Sequence, residues 1–68
     1  MEELGATAKD VTVRLTSDDV DLFLSALNEV LELLQDSEFS TRTGFEKSEF
    51  RAFRASLRAI RNKMGEAR

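Results

Sequence analysis

The strongest constraint on this 68-residue chain is the apolar width of one segment, residues 17–36. The segment contains the run FLSALNEVLELL, whose apolar side chains recur at the spacings typical of an α-helix. At about 100° per residue, these side chains cover an arc of about 200° around the helix. A helix that packs against one neighbour needs only about 100° of apolar surface. The segment therefore predicts a helix that contacts two neighbours.

A second amphipathic segment, residues 45–64, has a much narrower apolar face. The apolar residues of this face are Phe50, Phe53, Leu57, Ile60 and Met64. They fall within an arc of about 80°, which is enough to cover one side of the first helix. Leaving three or four leucine-sized side chains in water on the other side forgoes about 1.5–3 kcal/mol each. We therefore expect a second copy to cover that side, because most soluble homo-oligomers are two-fold dimers.

The predicted dimer interface lies on the first helix and, if strands pair between chains, on the segment before it. The interface residues are Val20, Leu22, Phe23, Ala26, Val30 and Leu33, with Val11 and Val13 from the strand. The alternative is a compact monomer in which the N-terminal strand covers the second side of the helix. Both arrangements satisfy the helical pattern.

A short strand is predicted before the first helix, because apolar and polar side chains alternate over residues 11–15. No second alternating run is present, so we expect this strand to pair with its copy in another chain or to remain an extended arm. Residues 1–8 show no periodicity and are predicted to be a disordered tail. Residues 9–68 then form a single helical-hairpin domain.

The ends of both helices carry local signals. Thr16 and Asp19 have the spacing of a capping box, which predicts that the first helix begins at residue 17. Thr43 and Glu46 have the same spacing at the start of the second helix, and Gly65 is suited to end that helix. Residues 36–44 are predicted to be a linker. The expected fold is mainly α, with a short N-terminal strand or extended arm and an antiparallel two-helix hairpin, completed by dimerisation.

Composition argues against catalysis and against several kinds of stabilisation. The chain has no cysteine and no histidine, so it lacks disulfides, thiolate ligands and the commonest general base. No Gly-rich phosphate loop is present, and no serine or threonine has an evident activating base. We expect no enzymatic activity, cofactor or metal site. A domain this small needs another source of stability, and oligomerisation is the source that remains.

The N-terminal residues are acidic and lack the apolar core of a signal peptide. No window approaches the roughly 18 uncharged apolar residues of a membrane span. We therefore expect a cytoplasmic protein that does not use the membrane.

Charge is distributed unevenly along the chain. Residues 1–38 carry ten acidic and two basic side chains, whereas residues 39–68 carry three acidic and eight basic ones, for a net charge of −3. A basic stripe follows one side of the second helix, and its members are Lys47, Arg51, Arg54, Arg58 and Arg61. The first expectation is ion pairing with Glu29, Glu32 or Asp36 on the first helix. The alternatives are binding of a phosphate-like anion and contact with a membrane surface.

The segments ALNEV (26–30) and EFSTRTG (38–44), each beside an apolar helix, resemble a group of small bacterial proteins of unassigned function that carry ALNEV followed by EF-x-TR-x-G. The resemblance transfers no activity. It implies that a set of mostly polar residues forms one unit: Asn28, Glu29, Glu38, Phe39, Thr41, Arg42 and Gly44. We expect this unit to fix the linker against the first helix, with Glu29 or Glu38 pairing Arg42. Arg42 as an anion clamp is the alternative.

The stretch VTVRLTSDDVDLFLSAL resembles the opening of a ribbon-helix-helix DNA-binding protein. In that family, paired strands from two chains enter the major groove, which would make Thr12 and Arg14 the residues that read bases. A pI of about 4.9 opposes the electrostatics on which DNA affinity depends. DNA binding by a transcriptional regulator is therefore the runner-up.

The leading functional hypothesis is a non-enzymatic homodimeric module that acts through protein contacts, in a regulatory or inhibitor-like role. Its first expected partner is a second copy of the chain, followed by another protein. Nucleic acid is the less favoured partner, and no membrane contact is expected.

Overall fold

The computed structural model describes residues 1–66, with side chains described through residue 65. The elements in chain order are β1 (Glu2–Ala6), β2 (Val11–Arg14), α1 (Ser17–Leu33), α2 (Asp36–Thr43) and α3 (Lys47–Glu66). The structure confirms the mainly helical class, with an N-terminal extended segment followed by a helical hairpin. Within residues 1–66, none of these helices is both long enough and apolar enough to cross a bilayer.

β1 and β2 form an antiparallel two-stranded hairpin within one chain, in which Glu2 lies opposite Arg14 and Ala6 lies opposite Val11. At the turn, the Thr7 hydroxyl donates to the Asp10 carboxylate at 2.8 Å. This pairing corrects the expectations of a disordered N-terminal tail and of a partner strand from another copy. The register is irregular between Glu3 and Gly5, which breaks the two-residue alternation that normally reveals a strand.

The start of α1 is as predicted. The Asp19 amide donates to the Thr16 hydroxyl, and the Thr16 amide donates to the Asp19 carboxylate, both at 3.1 Å. These reciprocal bonds form a capping box. α1 ends at Leu33, three residues before the predicted end, because the backbone of Leu34 is extended.

Residues 36–43, predicted to be part of a linker, form the helix α2 instead. Its acidic first turn and basic last turn complement the helix dipole, and Phe39 anchors it with only 1% of its surface exposed. Gly44 ends the helix in the left-handed conformation, with φ of 79°. One buried side chain and favourable ends are enough to fold this polar segment in context.

The cap of α3 lies three residues later than predicted. The Glu46 amide donates to the Glu49 carboxylate at 2.8 Å, whereas the Thr43 hydroxyl donates to the Phe39 carbonyl at 2.7 Å and so belongs to α2. α3 also continues through Gly65 to Glu66, so Gly65 does not stop the helix. A glycine within a helix costs about 1 kcal/mol relative to alanine, which neighbouring turns can absorb.

The core lies between α1 and α3 and is closed at one end by α2. Its buried side chains are Val20, Leu27, Leu31, Phe39 and Leu57. Phe39 packs edge-to-face on Phe50 with 4.7 Å between the ring centroids. The molecule measures 40 × 31 × 15 Å. A helix with its side chains is about 10–12 Å across, so the shortest dimension corresponds to little more than one layer of helices.

Candidate functional site

The layer formed by α1 and α3 has two unlike sides. On one side, which we call the polar edge, polar side chains bridge the helices. The bridges from α1 to α3 are Asp21 to Arg61 at 2.9 Å and Asn28 to Arg54 at 3.0 Å, and beside them Asp36 at the start of α2 bonds Lys47 at 3.0 Å. Because the residue numbers rise on one helix as they fall on the other, these contacts show that α1 and α3 are antiparallel.

The basic stripe of α3 is largely engaged on this polar edge. The hydrogen bond from Lys47 lowers the pKa of Asp36, and the hydrogen bond to Asp21 raises the pKa of Arg61. Asn28 also accepts a long bond of 3.5 Å from Arg58. Most of these contacts are exposed, so each adds little to stability. Together they engage Lys47, Arg54, Arg58 and Arg61 of the stripe within the chain.

The partners of the stripe differ from two of the three that the sequence predicted. Asp36 pairs with Lys47 as expected, whereas Glu29 and Glu32 lie exposed on α1. Among the described side chains, Asp21 and Asn28 take their place. On a helix these two residues lie closer than Glu29 to the buried side of α1, which is the side that α3 packs against.

The opposite side of the layer, which we call the apolar face, is open. The groove lining and the helical positions place on this side Phe23, Leu27 and Val30 of α1, with Phe45, Phe50, Phe53 and Ile60 on and before α3. Phe45 and Phe53 are 56% and 53% exposed. Aromatic side chains exposed to this degree in a contiguous patch usually mark an interaction surface.

A groove of about 410 Å³ runs along the apolar face between α1 and α3. Leu27, Phe45, Phe50 and Phe53 line it, and Glu49 supplies its only charged wall among the described residues. Phe45 packs at a tilt on Phe50, with 6.2 Å between the ring centroids. The groove can therefore accept large apolar side chains from a partner.

The apolar surface continues around α1 beyond the groove. Leu22 and Leu33 are 71% and 73% exposed, and Ala26 between them is also exposed. We call these three residues the outer flank of α1. Phe23 and Val30 are half-buried and connect the outer flank to the groove.

The structure corrects one member of the predicted dimer interface. Val20 is fully buried in the core of its own chain, so it has no surface left to offer a partner. Val11 and Val13 lie on β2, exposed and half-buried respectively, but β2 pairs with β1 of the same chain. The other predicted residues lie on the outer flank or on the apolar face.

The predicted polar unit does not form one cluster among the described side chains. Asn28 faces α3, Glu38 pairs with Arg42 inside α2 at 3.3 Å, and Gly44 ends α2. Thr41 and Glu29 are exposed. The Glu38 to Arg42 pair is as expected, although it is a local pair four residues apart because the segment is helical.

The residues proposed to read DNA bases lie on the exposed hairpin. Arg14 pairs with Glu2 on the neighbouring strand at 3.4 Å, and Thr12 is exposed. An isolated two-stranded hairpin is marginally stable in water, so packing against a partner would stabilise it.

Phe45 is the main member of the candidate site that the sequence did not predict. It follows Gly44 directly, and the turn at that glycine decides on which side of the layer the ring lies. Aromatic residues at positions 39, 45 and 50 were a signal of a shared cluster.

In comparisons with known proteins, no family model, curated protein or solved structure matches this chain.

Proposed function

We propose that this protein is a non-enzymatic, cytoplasmic interaction module that works as a homodimer. The observation that carries the proposal is the apolar face, an uncovered surface on a fold that is little more than one helix layer thick. If a second copy covered this face with its own layer, the two helix pairs would form a four-helix arrangement with a shared core.

The energetics favour covering this face. Burying a large apolar side chain contributes about 1.5–3 kcal/mol. Phe45 and Phe53 on this face, and Leu33 on the adjacent outer flank, are each more than half exposed in the single chain. Chains of about this length bury only about 60% of their unfolded surface and have little stability in reserve. A second copy supplies the missing apolar contacts without any further component.

The polar edge supports the same arrangement by contrast. Lys47, Arg54 and Arg61 are bonded within the chain there, so these cations need no partner for charge compensation. The dimer would therefore present its two polar edges and its two N-terminal β-hairpins to solvent. A regulatory or inhibitor-like role would use these outer surfaces to bind another protein.

DNA binding through the hairpin, the alternative function, has less support. Glu2 and Glu3 accompany Arg14 on the hairpin, and Asp10 lies at its turn. These carboxylates would repel phosphates, which supply most of the attraction between proteins and DNA. If the hairpin nevertheless bound a duplex, Arg14→Ala would abolish binding that itself falls steeply with added salt.

Leu33→Asp tests the proposal by placing a charge on the outer flank of α1. We expect this variant to sediment as a monomer at concentrations where the unmodified chain is a dimer. Ser25→Asp is the matched control, since it adds the same charge at an exposed position away from the apolar face. If Leu33→Asp leaves the mass of a dimer unchanged, Leu33 is not in the interface.

A further inference from the structure

Besides the basic stripe, α3 carries another row of residues, which runs along the helix beside the groove. The residues are Glu49, Phe53, Ser56, Ile60 and Lys63. They are separated by alternating steps of four and three, the spacing of a seam along which two helices pack. All five are exposed in the single chain. We call this row the α3 seam.

The order of side chains along the α3 seam is complementary to the same order read in the opposite direction. In either direction it presents a charge, a large apolar side chain, a small side chain, a second large apolar side chain and the opposite charge. Two copies placed antiparallel on a two-fold axis at Ser56 would pair Glu49 of each with Lys63 of the other. The same axis would pair Phe53 with Ile60 twice. A small residue at the axis lets the two helix backbones approach each other.

Contacts within the chain show where this axis would cross α1. Asn28 bonds Arg54 and Arg58, which lie on either side of Ser56 in the sequence, so Ser56 lies level with Asn28 across the layer. An axis through Ser56 that runs across the layer therefore crosses α1 near residues 27–28.

At that level the exposed and half-buried apolar residues of α1 are also arranged symmetrically. Leu22 and Leu33 lie nearly equal distances on either side of the axis, and so do Phe23 and Val30. Each would face its counterpart on the second copy. One axis therefore satisfies α1 and α3 together, although their sequences differ.

We propose that two copies stack their apolar faces with α3 antiparallel to α3 and α1 antiparallel to α1, on a two-fold axis through Ser56. This orientation rests on the proposed homodimer and adds its geometry. Ile60 of the second copy then fills the groove beside Phe53. The alternative, with α1 of one copy over α3 of the other, would leave Glu49 without Lys63 as its partner.

Glu49 can serve the seam and its own helix at once. One carboxylate oxygen, Oε2, accepts the bond from the Glu46 amide that begins α3. A carboxylate has two oxygens and several acceptor sites, so a cation from the second copy can bind without displacing that bond.

Cross-linking through Ser56→Cys tests the axis, because the chain contains no cysteine of its own. A residue at a two-fold axis lies beside its own copy, and a disulfide needs Cα atoms about 4.4–6.8 Å apart. We expect most of this variant to become a covalent dimer under mild oxidation with oxidised glutathione, as seen on non-reducing gels. Ser25→Cys, on the exposed side of α1, is the control and should remain largely monomeric after denaturation.

Reversing one charge at the end of the seam gives a second test. Lys63→Glu would place carboxylates opposite each other at both ends, so we expect the dimer Kd to rise about five- to tenfold at low salt. The effect should shrink at high salt. Lys9→Glu, in the hairpin turn, changes the net charge equally and should leave the Kd unchanged.

The outcomes separate this orientation from the homodimer itself. A chain that sediments as a dimer, while Ser56→Cys cross-links no faster than Ser25→Cys, overturns the antiparallel α3 seam and leaves the homodimer standing. A chain that sediments as a monomer overturns both. Efficient cross-linking together with the salt-dependent loss in Lys63→Glu supports the orientation.

Discussion

The polar edge and the apolar face lie on opposite sides of one pair of helices, and they differ in what completes them. On the polar edge, α1 and α3 satisfy each other, as when Asp21 meets Arg61 and Asn28 meets Arg54. On the apolar face, Phe45 and Phe53 are more than half exposed. Polar groups find partners over short distances within a chain, whereas apolar area must be covered by a whole surface.

This difference predicts two kinds of behaviour. Changes to the apolar face should alter association and therefore depend on protein concentration. Changes to the polar edge should alter the stability of each chain and depend on salt or pH. The comparison would fail if variants of the polar edge changed the dimer affinity, or if variants of the apolar face changed only the stability of the single chain.

Phe53→Asp should have the largest effect. It removes one groove-lining ring from each copy, worth about 1.5–3 kcal/mol apiece, so we expect the dimer Kd to rise at least about a hundredfold. Sedimentation velocity over a concentration series would measure it. Asn62→Asp, at an exposed position of α3 outside the α3 seam, is the control. Equal dimer affinity in the two variants would remove Phe53 from the interface.

Gly44→Ala should affect both sides of the layer moderately. The backbone there has φ of 79°, while no atom lies within 4 Å of an added Cβ, so the cost comes from backbone strain alone. We expect the free energy of unfolding to fall by about 1 kcal/mol, measured by urea denaturation. Gly5→Ala is a suitable control because its backbone lacks a positive φ. An unchanged stability in Gly44→Ala would indicate that the turn relaxes.

Asp21→Asn should have a small effect confined to the polar edge. In the unmodified chain, the Asp21 carboxylate pairs with Arg61 and raises the pKa of that guanidinium. The substitution removes this charge, but the pair is exposed and screened by solvent. We expect a slight decrease in Tm at low salt that disappears at high salt, with the dimer mass unchanged. A loss of dimer in this variant would show that the polar edge takes part in association.

Acid titration should show the smallest effect. Lys47 lowers the pKa of Asp36 from its ordinary value of 3.8 in the folded chain. The stabilisation is therefore present above that ordinary value and is lost as the pH falls through the lower pKa of the folded state. Comparing Tm against pH for the unmodified chain and for Asp36→Asn isolates this contribution. Parallel curves below about pH 4 would contradict it.

Features set by neighbouring residues were predictable from the sequence. The capping box of Thr16 and Asp19 depends on a three-residue spacing, and both long helices follow from their periodicity. The width of the apolar arc on α1 correctly indicated more apolar surface than one neighbour covers. A helical wheel gives no direction for that neighbour, however, which is why Val20 was assigned to the interface although it lies in the core.

Features that depend on tertiary contacts were missed for identifiable reasons. β1 has an irregular register around Leu4, so its alternation is hidden. α2 is polar and acquires its stability from one buried ring, Phe39. The groove requires Phe45, whose position depends on the turn at Gly44 rather than on any helical period. In each case the deciding contact is made by a residue outside the local pattern.

Sedimentation equilibrium of the unmodified chain, over a wide range of concentrations, tests the central claim most directly. If a second copy covers the apolar face, the mass at high concentration will be twice the chain mass of 7.7 kDa and will fall on dilution. A mass that stays at that of one chain up to high concentration, with the folded structure retained, would contradict the account.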